Sequence, residues 1–423
     1  MSKFLLNRFL GGKITNGRLG IVFADGSVST FGQSVPGFPE IVIRFTDDRV
    51  PRDILTDPRL GAGEAFIDGR LVIELGDVMG LVTLLRANNP WDKGGDIGPP
   101  SALKRLVNTA SFAVEQFNTR VAARRNVAHH YDIGNALYAL MLDDKHWQYS
   151  CAYWPDEPGE GARTLGEAQT AKLAHIASKL SLKSGQSVLD IGCGWGGMAI
   201  YLARHHDVRV TGITLSEEQA ALARERVTKA GLADRISIEL VDYRDLAEAG
   251  PRFDRIVSVG MFEHVGRAQF ETFFEACANL LEDDGVMLLH TIGRMGSPGS
   301  TDAFTRKYIF PGGYIPALSE TVAASEKFRL IATDVETLRL HYAKTIRCWY
   351  ANCIANRDAI VAMHDERFFR MWTFYLSGAA TVFEYGSMCN YQIQFTRDRR
   401  ALPITRDYMA RDEVRLHGNP RSD

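Results

Sequence analysis

From residue 165 onward the apolar positions of the chain switch repeatedly between two periods. Residues 165–180 place Leu, Ala and Ile at helical spacing, and 187–191 then form a short apolar run with an acid, Asp190, near its end. Apolar residues recurring every three to four positions mark an amphipathic helix, and a compact apolar run bounded by turn residues marks a buried strand. The alternation continues, with strands at 209–215, 236–241, 255–259 and 285–291 and helices at 198–206, 217–230 and 270–281. Strands alternating with helices predict a doubly wound α/β domain on a mostly parallel sheet. Right-handed crossovers bring the strand ends, and any ligand, to one edge. After Ile292 the pattern changes to an aromatic excursion over 293–316, two aromatic helices near 344–362 and 365–384, and a last alternating strand at 391–395.

Ahead of this domain, residues 15–85 read as a small α+β unit. Strands are expected at 20–23 and 41–45, with the turn signal Ala24-Asp25-Gly26 between them. A second strand pair is expected over 65–73 around Asp68-Gly69, and a helix at 77–85. The glycines and prolines of 90–100 mark a linker, and 102–123 and 134–141 read as helices. The expected organisation is therefore an N-terminal α+β domain (1–90), a linker and helical segment (91–145), a catalytic domain with aromatic helical insertions (146–400) and a C-terminal tail (401–423). Residues 1–14 mix Phe4, Leu5, Leu6, Phe9 and Leu10 with Lys3, Arg8 and Lys13. That stretch reads either as a helix lying on a membrane surface or as a first helix packed on its own domain. It lacks the small-residue cleavage site of a signal peptide.

Composition narrows the function classes. A formal charge of −2 over 423 residues lacks the basic footprint of a nucleic-acid protein. No apolar run reaches the roughly 18 residues of a spanning helix. The cysteines at 151, 193, 277, 348, 353 and 389 include no Cys-x-x-Cys pair, which predicts a reduced, cytoplasmic protein without a zinc site. The pairs His129-His130 and His205-His206 read as surface histidines, and no metal is expected.

Chemistry concentrates at Asp190-Ile191-Gly192-Cys193-Gly194-Trp195-Gly196-Gly197. Glycines between a strand and a helix allow a tight turn and a backbone close to a ligand. The spacing is not that of a dinucleotide fingerprint, and strand two ends in Thr214-Leu215-Ser216-Glu217-Glu218-Gln219 with no acid at its tip. Thr214, Ser216 and Gln219 can still bond ribose hydroxyls. Asp242, at the end of strand three, is placed for an adenine amino group, and Tyr243 can stack on the ring. Helix capping is the plain alternative for Ser216 and Asp242. Asp-x-Gly-x-Gly after a strand resembles the first motif of the S-adenosylmethionine methyltransferases, in which this loop holds the methionine end of the cofactor.

The resemblance sharpens when further motifs are taken in order. These are His129-His130-Tyr131-Asp132-Ile133-Gly134-Asn135, Gln148-Tyr149-Ser150-Cys151-Ala152-Tyr153-Trp154, Thr214-Leu215-Ser216, Met261-Phe262-Glu263-His264-Val265-Gly266 and Leu289-His290-Thr291-Ile292-Gly293. Together with the glycine loop they resemble the cyclopropane-fatty-acid synthases and mycolic-acid methyltransferases over about 125–400. Residues 1–90 resemble the sterol-carrier-like amino-terminal domain of the bacterial synthases. The resemblance implies methylene transfer from S-adenosylmethionine to the cis double bond of unsaturated phospholipid chains, at the inner face of the membrane, by a homodimer. It implies a bound bicarbonate as base, held by Cys151, Glu263, His290, Tyr342 and the Ile292 backbone. It implies cofactor contacts from Tyr149, Ser150, Asp190, Gly192, Gly194, Gly196, Thr214, Ser216, Gln219, Asp242 and Tyr243. A sister enzyme making methyl- or methylene-branched chains is the alternative. An isolated alkene is a weak nucleophile, so such an enzyme must hold alkene and sulfonium methyl in line and exclude water from the carbocation. The aromatics of 304–314 and 368–385 are candidates for lining an acyl tunnel.

Overall fold

The computed structural model describes residues 2–95, 134–155 and 164–418. The helix expected at 102–123 and the motif at His129–Ile133 lie outside the described residues. Two compact units form: one from Met1–Glu115, Ser300–Pro311 and Ile346–Met388, the other from Gln116–Gly299, Gly312–Thr345 and Cys389–Asp423.

In the first unit, β1 (Gly17–Val22), β2 (Val28–Gln33), β3 (Glu40–Phe45) and β4 (Leu71–Leu75) form one sheet in the order β2-β1-β3-β4. The Asp25-Gly26 turn joins β1 to β2, a strand the apolar pattern does not reveal because only Phe31 of its residues is buried. The hairpin expected over 65–73 is instead the helix Pro58–Ile67 followed by β4. Asp57 accepts from Leu60 N at 3.2 Å and Pro58 opens the helix, so local capping overrides the strand-like run Ala65-Phe66-Ile67. The first helix, Ser2–Gly11, buries Leu6 and Leu10 in the core of its own unit and leaves Phe4 and Leu5 exposed. The aromatic segments placed by sequence in the catalytic domain fold with this unit. Phe304 and Phe374 pack with ring centroids 5.0 Å apart, against Gly63, where a methyl group would meet both rings. The helix expected at 344–362 is two, His341–Ala355 and Arg357–Met363, broken at Asn356.

The second unit is a seven-stranded sheet of β5 (Ser187–Ile191), β6 (Arg209–Thr214), β7 (Ile236–Leu240), β8 (Phe253–Val259), β9 (Leu281–Arg294), β10 (Ile331–Leu338) and β11 (Met388–Thr396). The order is β10-β11-β9-β8-β5-β6-β7; β5 to β9 pair in parallel and β10 pairs antiparallel with β11. This is the doubly wound sheet the pattern predicts. The register sets Asp190 beside Gly212 and Val257, and Val259 beside His290, so the chemistry-bearing ends finish level. Helices Leu165–Leu180 and Gly197–His205 cover one face with the core of Leu173, Ile176, Val188, Leu202, Val210 and Val257. The expected tail carries a helix, Asp407–Gly418, whose Leu416 joins that core.

Candidate active site

The strand order reverses between β5 and β8, and the loops after these strands part to open a cleft. Open α/β sheets take their ligands at such a switch point. Asp190, Gly192, Gly194 and Trp195 line its floor. Gly192 has φ +82°, and a methyl group there would sit 2.8 Å from Met261 Cβ, so glycine is what lets the loops after β5 and β8 meet. Gly197, which opens the next helix, would drive a methyl group to 2.2 Å from the His146 carbonyl oxygen. Gly196 shapes the turn at φ +78° and is not part of the cleft wall.

Tyr149 and Ser150 form one wall with Trp147 and Gln148, and Thr214 and Gln219 form another. Thr214 Oγ1 donates to Gln219 Oε1 at 2.9 Å. Ser216 accepts from Gln219 N at 3.2 Å, so it is the cap of helix Glu217–Lys229 and stands outside the wall. Asp242 and Tyr243 line the adjoining wall. Asp242 accepts from Arg244 N at 3.0 Å and pairs with the Arg244 guanidinium at 2.8 and 2.6 Å, so capping and cleft lining coexist in one carboxylate. The Tyr243 ring meets Phe273 edge-on at 5.4 Å.

Two buried carboxylate oxygens at this edge lack a partner: Asp190 Oδ2 in the cleft floor and Glu263 Oε2 beyond it. Burial pushes the Asp190 carboxyl up to about 7, with the Lys172 charge pulling it back. An amino-acid ammonium is the donor such an oxygen lacks, which suits this cleft to S-adenosylmethionine.

Glu263 sits in the single turn Phe262–His264 after β8. Its Oε1 accepts from Ile292 N at 2.5 Å, so the Ile292 N–H, expected to face an anion, is committed to the carboxylate. Burial raises the Glu263 carboxyl to about 7, opposed by that N–H, by its own backbone N–H and by the Thr291 hydroxyl. His290 lies between two amides of β11, with Asn390 Nδ2 3.0 Å from Nε2 and Gln392 Nε2 3.1 Å from Nδ1. Burial holds His290 well below its ordinary range, so the ring is neutral and carries one N–H. One amide must therefore present its oxygen, and Gln392, whose Oε1 is otherwise unpartnered, is that amide. Cys151 is fully buried and donates to the Ala152 carbonyl at 3.3 Å. Burial raises its thiol far above the usual range, which argues against a thiolate nucleophile. Tyr342 is buried near the start of helix His341–Ala355. The bare Glu263 oxygen suits a bicarbonate hydroxyl and the Tyr342 phenol is a donor of the kind its other oxygens need, while the Cys151 S–H is spent on the Ala152 carbonyl, so Cys151 shapes the site without donating to an anion.

Sequence reasoning missed Trp147, Trp195 and Arg244 in the cleft, Lys172 behind it, and the His290 partners Asn390 and Gln392. A signal for the last pair exists: Asn390, Gln392 and Gln394 are polar at alternate positions of one strand and all are buried. Among the described residues no cluster of metal-ligating side chains occurs, and no helix is long and apolar enough to cross a membrane.

The fold and the cleft together define an enzyme of the S-adenosylmethionine-dependent methyltransferase class. The family described as mycolic acid cyclopropane synthetase matches residues 118–393, and the chain belongs to it. It is 37% identical over 374 residues to the cyclopropane-fatty-acyl-phospholipid synthase of Escherichia coli K12, covering 88% of this chain and 92% of that one. It is 35% identical over 406 residues to a probable fatty acid methyltransferase of Pseudomonas putida, covering 92% and 95%. The solved structure of mycolic acid cyclopropane synthase CmaA1 complexed with SAH and CTAB matches with TM-score 0.59 and 34% identity, over 64% of this chain and 97% of that one.

Proposed function

We propose that this enzyme adds a methylene group to the cis double bond of unsaturated acyl chains in membrane phospholipids, giving cyclopropane fatty acids. The observation that carries the reading is Glu263, a buried carboxylate with one oxygen held by Ile292 N–H and the other unpartnered, at the strand edge that carries the cofactor cleft. S-adenosylmethionine, when bound, supplies an electrophilic sulfonium methyl. Tyr149, Ser150, Asp190, Gly192 and Gly194 hold its methionine end, with Gly196 shaping the turn behind them, Thr214 and Gln219 its ribose, and Asp242 and Tyr243 its adenine. Ser216 acts through the cap it forms.

Methyl transfer to an alkene leaves a carbocation, and loss of a proton from the new methyl closes the ring. Glu263 and Tyr342 fix a bicarbonate ion as the base for that proton, and Cys151 shapes its site. Asn390 and Gln392 hold the His290 ring, neutral through its burial, in place. Glu263, Cys151, His290 and Tyr342 are all buried, which keeps water from the cation. The enzyme reaches its substrate from the cytoplasmic membrane surface, and the exposed Phe4 and Leu5, close to Arg8 on the first helix, suit such a contact.

A second reading, a sister enzyme making methyl- or methylene-branched chains, is favoured by the relative named a probable fatty acid methyltransferase. Product analysis separates the two. After incubation with S-adenosylmethionine and unsaturated phospholipid vesicles, proton magnetic resonance is expected to show the strongly shielded ring methylene. Olefinic protons alone, or a new methyl doublet after mild reduction, would assign the branched-chain reaction instead.

A further inference from the structure

Lys172 has no solvent exposure, an uncommon position for a lysine. It lies on helix Leu165–Leu180, and its ammonium donates to Gln148 Oε1 and, at 3.1 Å, to Ser150 Oγ. One turn earlier on the same helix face, Gln169 Nε2 donates to the carbonyls of Gln148 at 3.3 Å and Ser150 at 3.0 Å. From the other side Asp143 Oδ2 accepts from Gln148 N at 3.0 Å. The segment 148–150 is thus gripped by side chains on both sides, and it is a wall of the cleft.

The groups that face this ammonium are Asp143, Cys151, Asp190 and His290. Asp143 gives both oxygens to the backbone N–H groups of His146 and Gln148. Cys151 and His290 are held neutral by burial. Asp190 differs, because its Oδ2 is buried in the cleft floor without a partner, and its other titratable neighbour, Cys193, is likewise held as a thiol by burial.

We propose that Lys172 is a positioning residue of the cofactor site: it holds the Gln148–Ser150 wall and keeps the Asp190 carboxylate ionised for the cationic amino-acid end of S-adenosylmethionine. The inference rests on the placement of the methionine end given above. Burial pushes Asp190 toward its neutral form and the Lys172 charge opposes this; burial also lowers the Lys172 ammonium to about 7, against the pull of Asp143, Cys151 and Asp190, so its charge stands on the acid side of neutrality, where Asp190 takes up its proton. Without the ammonium the carboxyl titrates higher still. Cofactor affinity, which needs the carboxylate, then fails at a higher pH as acid is added.

The test is equilibrium titration of the full-length wild type, Lys172→Met and Lys172→Arg with S-adenosylmethionine, read by the fluorescence of Trp147 and Trp195 in the cleft wall. Between about pH 6 and about pH 9, Lys172→Met should bind about fivefold more weakly at neutrality, its acid limb having moved up by about one pH unit, and recover toward the alkaline end. Lys172→Arg, charged at every pH in this range, should keep the wild-type acid limb. A folded Lys172→Met with wild-type affinity overturns the proposal, as does one weakened equally at every pH, the mark of a merely structural role. Should Lys172→Met not fold, Asp190→Asn decides, since the acid limb must then vanish and its persistence refutes the idea. No lipid enters the assay, so a branched-chain product would leave the inference standing. A wild type that binds no cofactor would overturn both.

Discussion

The wall of the cofactor cleft and the pocket around Glu263 lie at the same sheet edge but treat their polar groups in opposite ways. In the wall the polar groups have neighbours: Thr214 with Gln219, and Asp242 with Arg244. Such a surface is rigid before any ligand arrives, so little ordering cost remains at binding. In the pocket one oxygen of Glu263 is buried and bare, and burial raises its carboxyl to about 7. An unsatisfied buried oxygen costs about 1–3 kcal/mol of stability. Strain kept at two atoms, Glu263 Oε2 and Asp190 Oδ2 of the cleft floor, beside walls without it, is the pattern expected where binding and chemistry each reserve one group for a ligand.

The strongest way to break this contrast is Glu263→Gln, which keeps shape and removes charge. Turnover on phospholipid vesicles should fall by about 10³-fold or more, in the range expected for loss of a group acting in proton transfer. Cofactor affinity by calorimetry should change by less than about threefold, because the cleft wall is untouched. An affinity loss as large as the turnover loss would merge the two regions into one.

The same variant sharpens the comparison through stability. The Glu263 carboxyl is raised in the fold from 4.5 to about 7, so the folded chain binds the extra proton. That contribution is fully present below pH 4.5 and is lost as pH rises through about 7. Glu263→Gln should therefore be the more stable protein at alkaline pH, by up to about 3 kcal/mol, with the gap closing under acid. Urea denaturation at several pH values checks this, and a gap that widens under acid would contradict it.

Arg244→Ala probes the wall instead. It strands Asp242, which is 1% exposed, without its guanidinium, and cofactor affinity should drop about tenfold in the same calorimetric titration. The smallest expected effect lies outside both regions. Replacing Phe4 and Leu5 by Asp should weaken vesicle flotation by about tenfold or less while leaving cofactor affinity alone. Unchanged flotation would remove the first helix from the membrane contact.

Legibility in the sequence follows burial. The strands β5, β6, β8 and β9 and the glycine turn between β5 and its helix were readable because both sheet faces are covered and the runs are apolar. At the sheet edge, β10 has residues mainly exposed or half-buried and carries Asp334 and Glu336, so it lacks the apolar signature. The helix Pro58–Ile67 was hidden by a hairpin-like pattern, although Asp57-Pro58 was its start signal. Within the site, Glu263 and His290 stood out by motif. Lys172 did not, because a lysine on an amphipathic helix reads as solvated until that helix is seen to be buried on nearly every side. Arg244 was invisible for a related reason: its role comes from the carboxylate two residues earlier, not from its own position.

The amides that bracket His290 follow it by 100 and 102 residues along the chain. A ribosome adding about 5–20 residues per second reaches them roughly 5–20 s after the histidine itself has been made. For that interval the nascent chain already holds the glycine turn and the strands flanking it, but not the strand that encloses the imidazole. Synthesis order thus becomes a safeguard. The partners of His290 are made after every residue that lines the cofactor cleft, so a chain stopped between the two has the cleft residues without the amides that seat the histidine.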